Sequence, residues 1–390
     1  MKKTGINMEQ VKQQNRSLIL HEITRLGHVS RKDLASLTHL TPASITVTTN
    51  ALLNEGILIE AGKSREEGSG AGRSQVLLDL NTDYYKVCTV NIEADETTIA
   101  ICDCRGRLLE NKGKQCRVSL KTDKEAEPED FLHVIAKQCR SMINALDEEE
   151  QSKIRCVSVA LTGILDKESG ISMHAIGVWN REVNVVEIMK KELGLPVLLS
   201  NNVDAFARAV LLYGMGRTHD NLMVIKWGPG IGCSIIIDGE IYEGRRGISA
   251  EMGHVIVRPY GRQCSCGRRG CLETVASYYA LQRTMQFAPD EFEQAFLNAD
   301  ERVQQEIRDK IDLFARCLLN TATIIAPDRI VLCGKLFKGE TIRNELIAAF
   351  KKHAPTSSYN RIIYTVLSEQ EEYIGPAAVY TESLLQGNVN

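Results

Sequence analysis

The segment GRQCSCGRRGCLET, residues 261–274, places three cysteines within eight residues. Their spacing is C-x-C-x4-C, and the glycines between them allow a turn tight enough for the sulfurs to converge. His254 precedes the first cysteine by ten residues, and one imidazole with three thiolates makes a closed tetrahedral ligand set for zinc. A redox switch and simple core thiols are the alternatives. Four protein ligands leave no open position for a catalytic water, so we predict a structural zinc ion (Zn²⁺) held by His254, Cys264, Cys266 and Cys271.

The bulk composition supports this interpretation of the cysteines. The chain has 390 residues, a formal net charge of −3 and 43% hydrophobic residues, which is ordinary for a globular protein of two or three domains. It has no run of 18 apolar residues and begins without the apolar stretch of a signal peptide. We therefore expect a cytoplasmic protein with no membrane partner, in which structural disulfides are rare. Most of the twelve cysteines lie in apolar runs typical of a core, for example Cys88, Cys156, Cys233 and Cys333.

Residues 1–82 carry the pattern of a winged helix-turn-helix. Apolar residues at helical spacing predict a first helix over 11–26. Ser30 is a good N-cap for a second helix, and Thr41 followed by Pro42 is a good start for a third, which ends at Gly56. Two strands around a Gly-rich tip follow and predict the wing.

The third helix of this module offers short polar side chains suited to base edges or phosphates. Residues 11–50 carry five Lys or Arg against two acids, a mild excess with the right sign for DNA. Arg65 and Arg73 at the wing tip could enter a minor groove or remain solvated, and a helical protein-interaction module is the alternative for the whole segment. The residues predicted to bind DNA are Arg31, Lys32, Ser44, Thr46, Thr48, Asn50 and Arg73.

From about residue 84 the pattern changes to strands alternating with helices. Strands are predicted at 85–94, 97–106 and 108–118, followed by a helix at 129–146 and a strand at 154–166. A similar order recurs in the strands predicted within 221–244 and at 328–334. Residues 83–390 are therefore expected to form two related α/β lobes, and small ligands favour the cleft between such lobes.

Two stretches of this chain resemble the ROK family of repressors and sugar kinases. The combination ISAEMGH and CSCGRRGCLE, at 248–254 and 264–273, is similar to the family signature around its zinc loop, here 254–273. The segment 29–60 resembles the winged-helix half of the repressor branch, the xylose-repressor and N-acetylglucosamine-repressor type. The resemblance implies an α/β protein with an N-terminal winged helix-turn-helix followed by a two-lobed, actin-like (ribonuclease-H-like) ROK domain that binds a hexose or pentose between its lobes.

The resemblance also implies which residues hold the sugar. In the family, the Glu and His of E-x-G-H and the Glu after the last cysteine bind sugar hydroxyls; surface charges are the alternative for the two carboxylates. The family's Asn–Asp pair falls on two consecutive asparagines, and pocket-lining turns fall on 162–163 and 179–180. The implied sugar-binding residues are Gly163, Asn180, Asn201, Asn202, Glu251, His254 and Glu273.

The residues that a ROK kinase would use for phosphoryl transfer are altered. The family hairpin D-I-G-G-T binds phosphate through its glycines, but the matching segment 93–97 places Asp95 and Glu96 at the glycine positions. Their side chains should fill the space and repel a triphosphate. A second phosphate loop carries Pro229 at the family threonine. The general-base position is Asn202, whose amide accepts no proton, and Asp204 is expected to point elsewhere.

We therefore predict a sugar-responsive transcriptional repressor of carbohydrate-utilisation genes and not an enzyme. It would bind operator DNA as a homodimer or homotetramer, with a monosaccharide or sugar derivative as inducer. The alternatives are an active ROK sugar kinase with a fused DNA-binding domain, a repressor controlled by a protein partner, and an activator.

Overall fold

The computed structural model of the protein describes residues 7–64, 74–244, 249–354 and 361–387. Arg65 and Arg73 lie outside these described residues, so their predicted contact with DNA stays a prediction. Among the described helices, none combines the length and apolar content that a bilayer crossing requires.

The N-terminal module consists of three helices and a small antiparallel sheet. Its elements are α1 (Met8–Leu26), β1 (Val29–Ser30), α2 (Arg31–Thr38), α3 (Pro42–Asn54), β2 (Leu58–Ser64) and β3 (Gln75–Leu80). The predicted caps are present: Ser30 and Asp33 form a capping box at α2, and the Thr41 hydroxyl accepts from Ser44 N at 3.2 Å at the start of α3. Fully buried side chains from all three helices form its core, among them Ile19, Leu20, Ile23, Leu34, Ile45 and Leu52.

Lobe 1 follows and is built on a five-stranded sheet. Its strands are β4 (Lys86–Ile92), β5 (Glu96–Asp103), β6 (Glu110–Asn111), β7 (Lys114–Gln115), β8 (Arg117–Lys121), β9 (Ile154–Leu161), β10 (Ile164–Asp166), β11 (Ile171–His174), β12 (Val183–Asn184) and β13 (Val197–Asn201). Its helices are α4 (Pro128–Asn144), α5 (Glu148–Lys153) and α6 (Val185–Leu193). The main sheet has the order β13-β9-β4-β5-β8.

The predicted strand over 108–118 is wrong. The chain instead forms the two-residue strands β6 and β7 and then enters the sheet at Arg117. Lys112 and Gly113 both have positive φ angles, 51° and 75°, and these angles reverse the chain direction between β6 and β7. The reason for the difference is thus a tight turn inside the polar run 110–115, which interrupts the strand.

Lobe 2 repeats the topology of lobe 1. Its strands are β14 (Leu222–Trp227), β15 (Ile231–Ile237), β16 (Glu240–Ile241), β17 (Arg329–Cys333) and β18 (Ile362–Tyr364). Its helices are α8 (Glu273–Ala276), α9 (Tyr278–Leu281), α10 (Phe292–Asn298), α11 (Glu301–Ile325) and α12 (Glu340–His353). The sheet order β16-β15-β14-β17-β18 places three antiparallel strands beside two parallel ones, as in lobe 1. This repeat confirms the expectation of two related α/β lobes.

Two further helices connect the lobes with the N-terminal module. They are α7 (Asn202–Tyr213) and α13 (Glu371–Leu385), which pack against each other between the two sheets. Both also contact α1, and the Gln13 side chain donates to the Gln386 carbonyl at 2.7 Å. One continuous apolar core therefore joins the N-terminal module, α7, α13 and residues from both sheets.

Candidate functional site

A cavity opens between the two lobes, where several strands and helices end. Lobe 1 contributes the turn after β9 and the start of α7, and lobe 2 contributes the glycine-containing turn between β14 and β15. The short helical turn Met252–His254 and the start of α8 complete its wall. Six of the seven predicted sugar-binding residues line this cavity: Gly163, Asn201, Asn202, Glu251, His254 and Glu273.

The four predicted metal ligands converge beside this cavity. Their ligand atoms lie within 4.8 Å of one another, with 3.4 Å between His254 Nδ1 and Cys264 Sγ and 3.6 Å between the sulfurs of Cys266 and Cys271. Gly270 makes the turn possible, because its φ is +74° and a Cβ there would lie 1.7 Å from the Arg258 carbonyl oxygen. The loop is thus shaped so that one nitrogen and three sulfurs can share a cation.

His254 connects this cluster with the cavity. Its Nδ1 faces the cysteines, while its Nε2 lies 3.7 Å from a carboxylate oxygen of Glu251. Burial, together with the nearby Arg268 guanidinium, lowers the pKa of His254. A neutral imidazole has one free lone pair, which suits metal ligation through Nδ1 while Nε2–H can donate toward the cavity.

Glu251 and Glu273 bring two carboxylates to the same wall. Burial raises the pKa of both, and the Glu251 charge raises that of Glu273 further. Glu273 accepts only a long hydrogen bond, 3.4 Å, from Ile231 N. Within the described residues neither side chain forms an ion pair with lysine or arginine. Both carboxylates therefore keep acceptor capacity that a hydroxylated ligand could use.

The two asparagines at the start of α7 have different roles. Asn201 caps the helix: its oxygen accepts from Val203 N at 2.8 Å, and its amide donates to the Gly163 carbonyl at 2.9 Å. Gly163 is needed in that turn, since its φ is +98° and a Cβ would lie 2.0 Å from the His174 carbonyl oxygen. Asn201 thus shapes the wall, whereas the Asn202 amide points to the Glu93 carboxylate at 3.4 Å.

Two predictions about the cavity are corrected by the structure. Asn180 is exposed and does not line it, because the neighbouring Trp179 turns inward and donates to the Ser172 hydroxyl at 3.1 Å. Asp204 was expected to point elsewhere but does line the cavity. Its carboxylate is held by the Ser234 hydroxyl at 2.9 Å and by Lys167 at 3.2 Å.

Sequence reasoning also missed His174 and Ile176, which line the cavity from the turn after β11. The one signal in the sequence is that this turn follows a short strand in the segment between the 162–163 turn and residue 180. A strand-and-turn pattern alone does not show which side chains of the turn face the other lobe.

Comparison with known proteins identifies the fold around this cavity. A model of the ROK family matches residues 88–382. The chain belongs to the ROK family. It is 26% identical over 411 residues to the DNA-binding transcriptional repressor Mlc of Escherichia coli (strain K12), covering 97% of each chain. It is also 26% identical over 276 residues to the xylose repressor of Bacillus subtilis (strain 168), covering 71% of this chain and 69% of that one.

Solved structures agree with this assignment of the fold. A ROK family transcriptional regulator described as a homologue of the E. coli Mlc protein superposes with a TM-score of 0.76 at 22% identity, covering 97% of each chain. A ROK family glucokinase from Streptomyces griseus, solved in complex with glucose and AMPPNP, superposes with a TM-score of 0.64 at 21% identity. It covers 75% of this chain and 98% of its own. The region from lobe 1 to α13 is thus the ROK domain.

The sequence predicts that the acids of the hairpin between β4 and β5 repel a nucleotide, and the structure differs from this prediction. The acids at the glycine positions are neutralised: Asp95 accepts from Lys124 at 3.0 Å and from the Tyr279 hydroxyl at 3.1 Å, and Glu96 accepts from Lys335 at 3.2 Å. The electrostatic part of the argument against nucleotide binding is therefore weaker than expected. The steric part, that side chains take the place of the family's glycines, stays a prediction.

Glu93 begins the same hairpin and lies deeper in the ROK domain. Burial alone would raise its pKa, but hydrogen bonds and the charge of Lys226 outweigh burial and lower it. The pKa of Lys226 is raised for the reciprocal reason, with Glu371 as a second acid at 3.8 Å. Both side chains thus remain charged at neutral pH and pair with each other.

The N-terminal module ahead of the ROK domain presents one polar face of α3. Thr46 and Asn50 are exposed as predicted, together with Val47, which is 71% exposed. Ser44 and Thr48 are half-buried on the flank, where the Asn15 amide lies 3.4 Å from the Ser44 hydroxyl. The Arg31 guanidinium reaches α3, donating at 3.0 Å to both Thr49 and Asn50, and Lys32 is exposed on α2.

Proposed function

We propose that this protein is a sugar-responsive, DNA-binding transcriptional repressor of carbohydrate-utilisation genes. Relatives named as repressors support this, and the match to Mlc extends over 97% of both chains, so it includes the N-terminal module. The single observation that carries the proposal is that α7 begins in the cavity and packs against α1 of the N-terminal module.

In this proposal the N-terminal module is a winged helix-turn-helix that reads operator DNA. The exposed face of α3 would enter the major groove, with Thr46 and Asn50 toward base edges and Val47 toward thymine methyl groups. Arg31 would orient Asn50, and Lys32 would meet the phosphate backbone. Two modules of a homodimer, or of dimers within a tetramer, would contact successive major grooves of a palindromic site.

The ligand in this proposal is a monosaccharide or a sugar derivative. The carboxylates of Glu251 and Glu273 would accept hydrogen bonds from adjacent hydroxyls, and His254 Nε2 would contribute a donor. Because Asn201 and Gly163 are fixed by mutual hydrogen bonding, the opposite wall is formed before the ligand arrives.

Zinc is the metal that the cysteine loop fits best. Zinc–sulfur bonds of about 2.3 Å in a tetrahedron separate sulfurs by about 3.8 Å, and the Cys266 and Cys271 sulfurs are 3.6 Å apart. Four protein ligands make the proposed role structural: the bound ion would fix the His254 ring and the start of α8, which carries Glu273.

Ligand binding would weaken operator binding through α7 and α13. A sugar held by both lobes favours one relative arrangement of the lobes, and both helices lie between the sheets and contact α1. A change in their position alters the separation of the two DNA-reading helices in the dimer. The only requirement is a sugar affinity that differs between the two arrangements.

We further propose that the ROK domain of this protein is not catalytic. An amide stands at the general-base position, and two cavity acids near it are engaged: Asp204 by Lys167 and Ser234, and Glu93 by Lys226. An active sugar kinase with a fused DNA-binding domain is the competing function. Sustained ATP turnover with any monosaccharide in a pure preparation would establish that function instead.

The central test is operator binding with and without sugar. Operator DNA is first selected by the protein from a random pool, where recovery of palindromes would support a dimeric reader. Mobility-shift titrations are then repeated with xylose, glucose, N-acetylglucosamine and their phosphates. We expect at least one sugar to weaken binding about 5- to 150-fold, the usual range of allosteric coupling. If no sugar changes the affinity, the inducer proposal fails and a protein partner becomes the better hypothesis.

A further inference from the structure

The β4–β5 hairpin of lobe 1 contacts lobe 2 through three acidic side chains. Glu93 pairs with Lys226 of β14, Asp95 accepts from the Tyr279 hydroxyl of α9, and Glu96 pairs with Lys335 after β17. We call these six residues the cross-lobe cluster. Its members come from three separate segments of lobe 2, so all three contacts are formed only when the lobes stand close together.

The hairpin acids receive their hydrogen-bond donors from within the protein. One oxygen of Glu93 receives donors from Lys226, from Asn91 at 3.1 Å and from Asn202 at 3.4 Å. Lys124 adds a second donor to Asp95 at 3.0 Å. These side chains occupy the segment that the family uses, through glycines, to approach a phosphoryl donor.

Glu93 is shared between the cross-lobe cluster and the proposed sugar cavity. It lines the cavity, and it accepts from the Asn202 amide, which lines the same cavity. The relative position of the lobes and the orientation of Asn202 therefore depend on the same carboxylate.

We propose that the cross-lobe cluster holds the two lobes together in place of a bound nucleotide, with Glu93 as the positioning residue that orients Asn202 toward the sugar. In a two-lobed kinase, sugar and phosphoryl donor both contact the two lobes and favour closure. Here the protein's own ion pairs supply the second of these contacts, so the cavity reaches its ligand-binding shape without nucleotide. The inference rests on the proposed sugar-binding function for its ligand, but the cluster itself is testable in the free protein.

The test exploits the more accessible of the cluster's two ion pairs, Glu96 and Lys335, whose side chains are 38% and 29% exposed. Glu96→Lys places two lysines opposite each other, and adding Lys335→Glu restores an ion pair of reversed polarity. The matched control is Glu345→Lys, since Glu345 pairs with Arg308 at 3.0 Å with similar exposure but wholly within lobe 2. Glu93→Gln is the second variant and tests the positioning role.

Three measurements are made on each full-length protein. Amide hydrogen exchange of residues 91–97 and 222–233 reports the contact between the lobes in the absence of sugar. Calorimetry with the monosaccharide that binds the unmodified protein reports ligand affinity, and chemical denaturation reports overall stability.

We expect Glu96→Lys to speed exchange in both segments and to weaken sugar binding on the order of tenfold. The double variant should return both quantities to within about twofold of the unmodified protein, since an ion pair is restored. Glu345→Lys should change neither. Glu93→Gln should weaken sugar binding more than its effect on exchange in 222–233 accounts for, because a neutral amide oxygen is a weaker acceptor for the Asn202 amide than a carboxylate.

Three results would overturn the inference. Unchanged exchange and affinity in Glu96→Lys would show that the pair does not hold the lobes, and failure of the double variant to restore them would show that charge pairing is not the cause. An equal effect of Glu345→Lys would reduce the cluster to general stability. If the unmodified protein binds no monosaccharide, the proposed function fails separately, and the exchange measurements still decide whether the cluster joins the lobes.

Discussion

The acidic residues on the two sides of the interlobe cleft differ in whether a lysine or arginine pairs with them. On the side of the cysteine loop, Glu251 and Glu273 have no lysine or arginine partner among the described residues. On the side of the β4–β5 hairpin, Glu93 and Glu96 are each paired with a lysine of the other lobe. Both sides are rich in carboxylates, yet among the described residues only those of the hairpin side pair with lysine.

This difference shows how the same residue type serves recognition on one side and cohesion on the other. A partly desolvated carboxylate with no cation beside it has a raised pKa, as Glu273 does. Such a group gains most from an external hydrogen-bond donor. A carboxylate already paired with lysine offers little to a ligand. These differences support our proposals that the cysteine-loop side binds a hydroxylated molecule and that the hairpin side binds the other lobe.

The largest effect should come from removing the metal that we propose for the cysteine loop. Cys266→Ser leaves three ligands, so zinc content measured by elemental analysis should fall from about one ion per chain toward zero. The His254 ring and the start of α8 then lose their anchor, and sugar response should be lost together with part of the thermal stability. Cys156→Ser is the matched control, because that buried thiol lies in β9 of lobe 1 and is remote from the cysteine loop in sequence. Unchanged zinc content in Cys266→Ser would contradict the ligand assignment.

Neutralising one acid on each side of the cleft tests the comparison directly. Glu273→Gln should weaken sugar affinity about 10- to 100-fold, because hydrogen bonds to a charged group contribute about 1.5–3 kcal/mol. Glu96→Gln removes a half-exposed ion pair, for which about 0–1 kcal/mol is usual, so its effect should stay below about fivefold. Calorimetry on both variants provides the measurement. Equal losses would mean that the two sides do not differ in the way their charges suggest.

Much of this arrangement could be predicted from the sequence because local rules and a specific motif agree. Helix caps such as Ser30 and Thr41 depend on neighbours three residues away, and both predicted caps are present. The four metal-ligand positions lie within 18 residues, so their convergence follows from a short loop, and the model brings them together. The carboxylates at 251 and 273 are adjacent to this loop in the sequence, so their positions could be predicted for the same reason.

The incorrect predictions concern side chains whose direction depends on distant elements. Asn180 belongs to a turn, 179–180, that the resemblance places in the pocket lining, but Trp179 takes the inward position by bonding to Ser172. Asp204 reaches the cavity because Lys167 and Ser234, from two other segments, hold it there. The sequence shows that the hairpin carries acidic side chains. Their lysine partners lie far away in the chain, so the ion pairs that neutralise these acids could not be deduced from residues 93–97.

The extent of the sugar-binding wall can be refined with a smaller effect. His174 lines the cavity and Asn180 does not, so His174→Ala should weaken sugar affinity by roughly three- to tenfold, the value of one ordinary hydrogen bond of about 0.5–1.5 kcal/mol. Asn180→Ala should leave the affinity within about twofold. The same calorimetric titration measures both. A larger loss from Asn180→Ala would return the 179–180 turn to the ligand site.

The smallest effect is expected where sequence comparison alone would suggest the largest. Asn202→Asp restores the acid that ROK kinases use as a general base, but phosphate release from ATP in the presence of sugars should remain at the background rate. The Asn202 amide now donates to Glu93 at 3.4 Å, and a carboxylate there would instead face another carboxylate. Like charges at this distance favour a proton shared between the two carboxylates, which leaves neither of them free to accept the proton of a sugar hydroxyl, and the hairpin still lacks the glycines that admit phosphate. If Asn202→Asp gained sugar-dependent ATP turnover, this prediction would be wrong. The hairpin side would then be a nucleotide site that lacks only the acid at the general-base position.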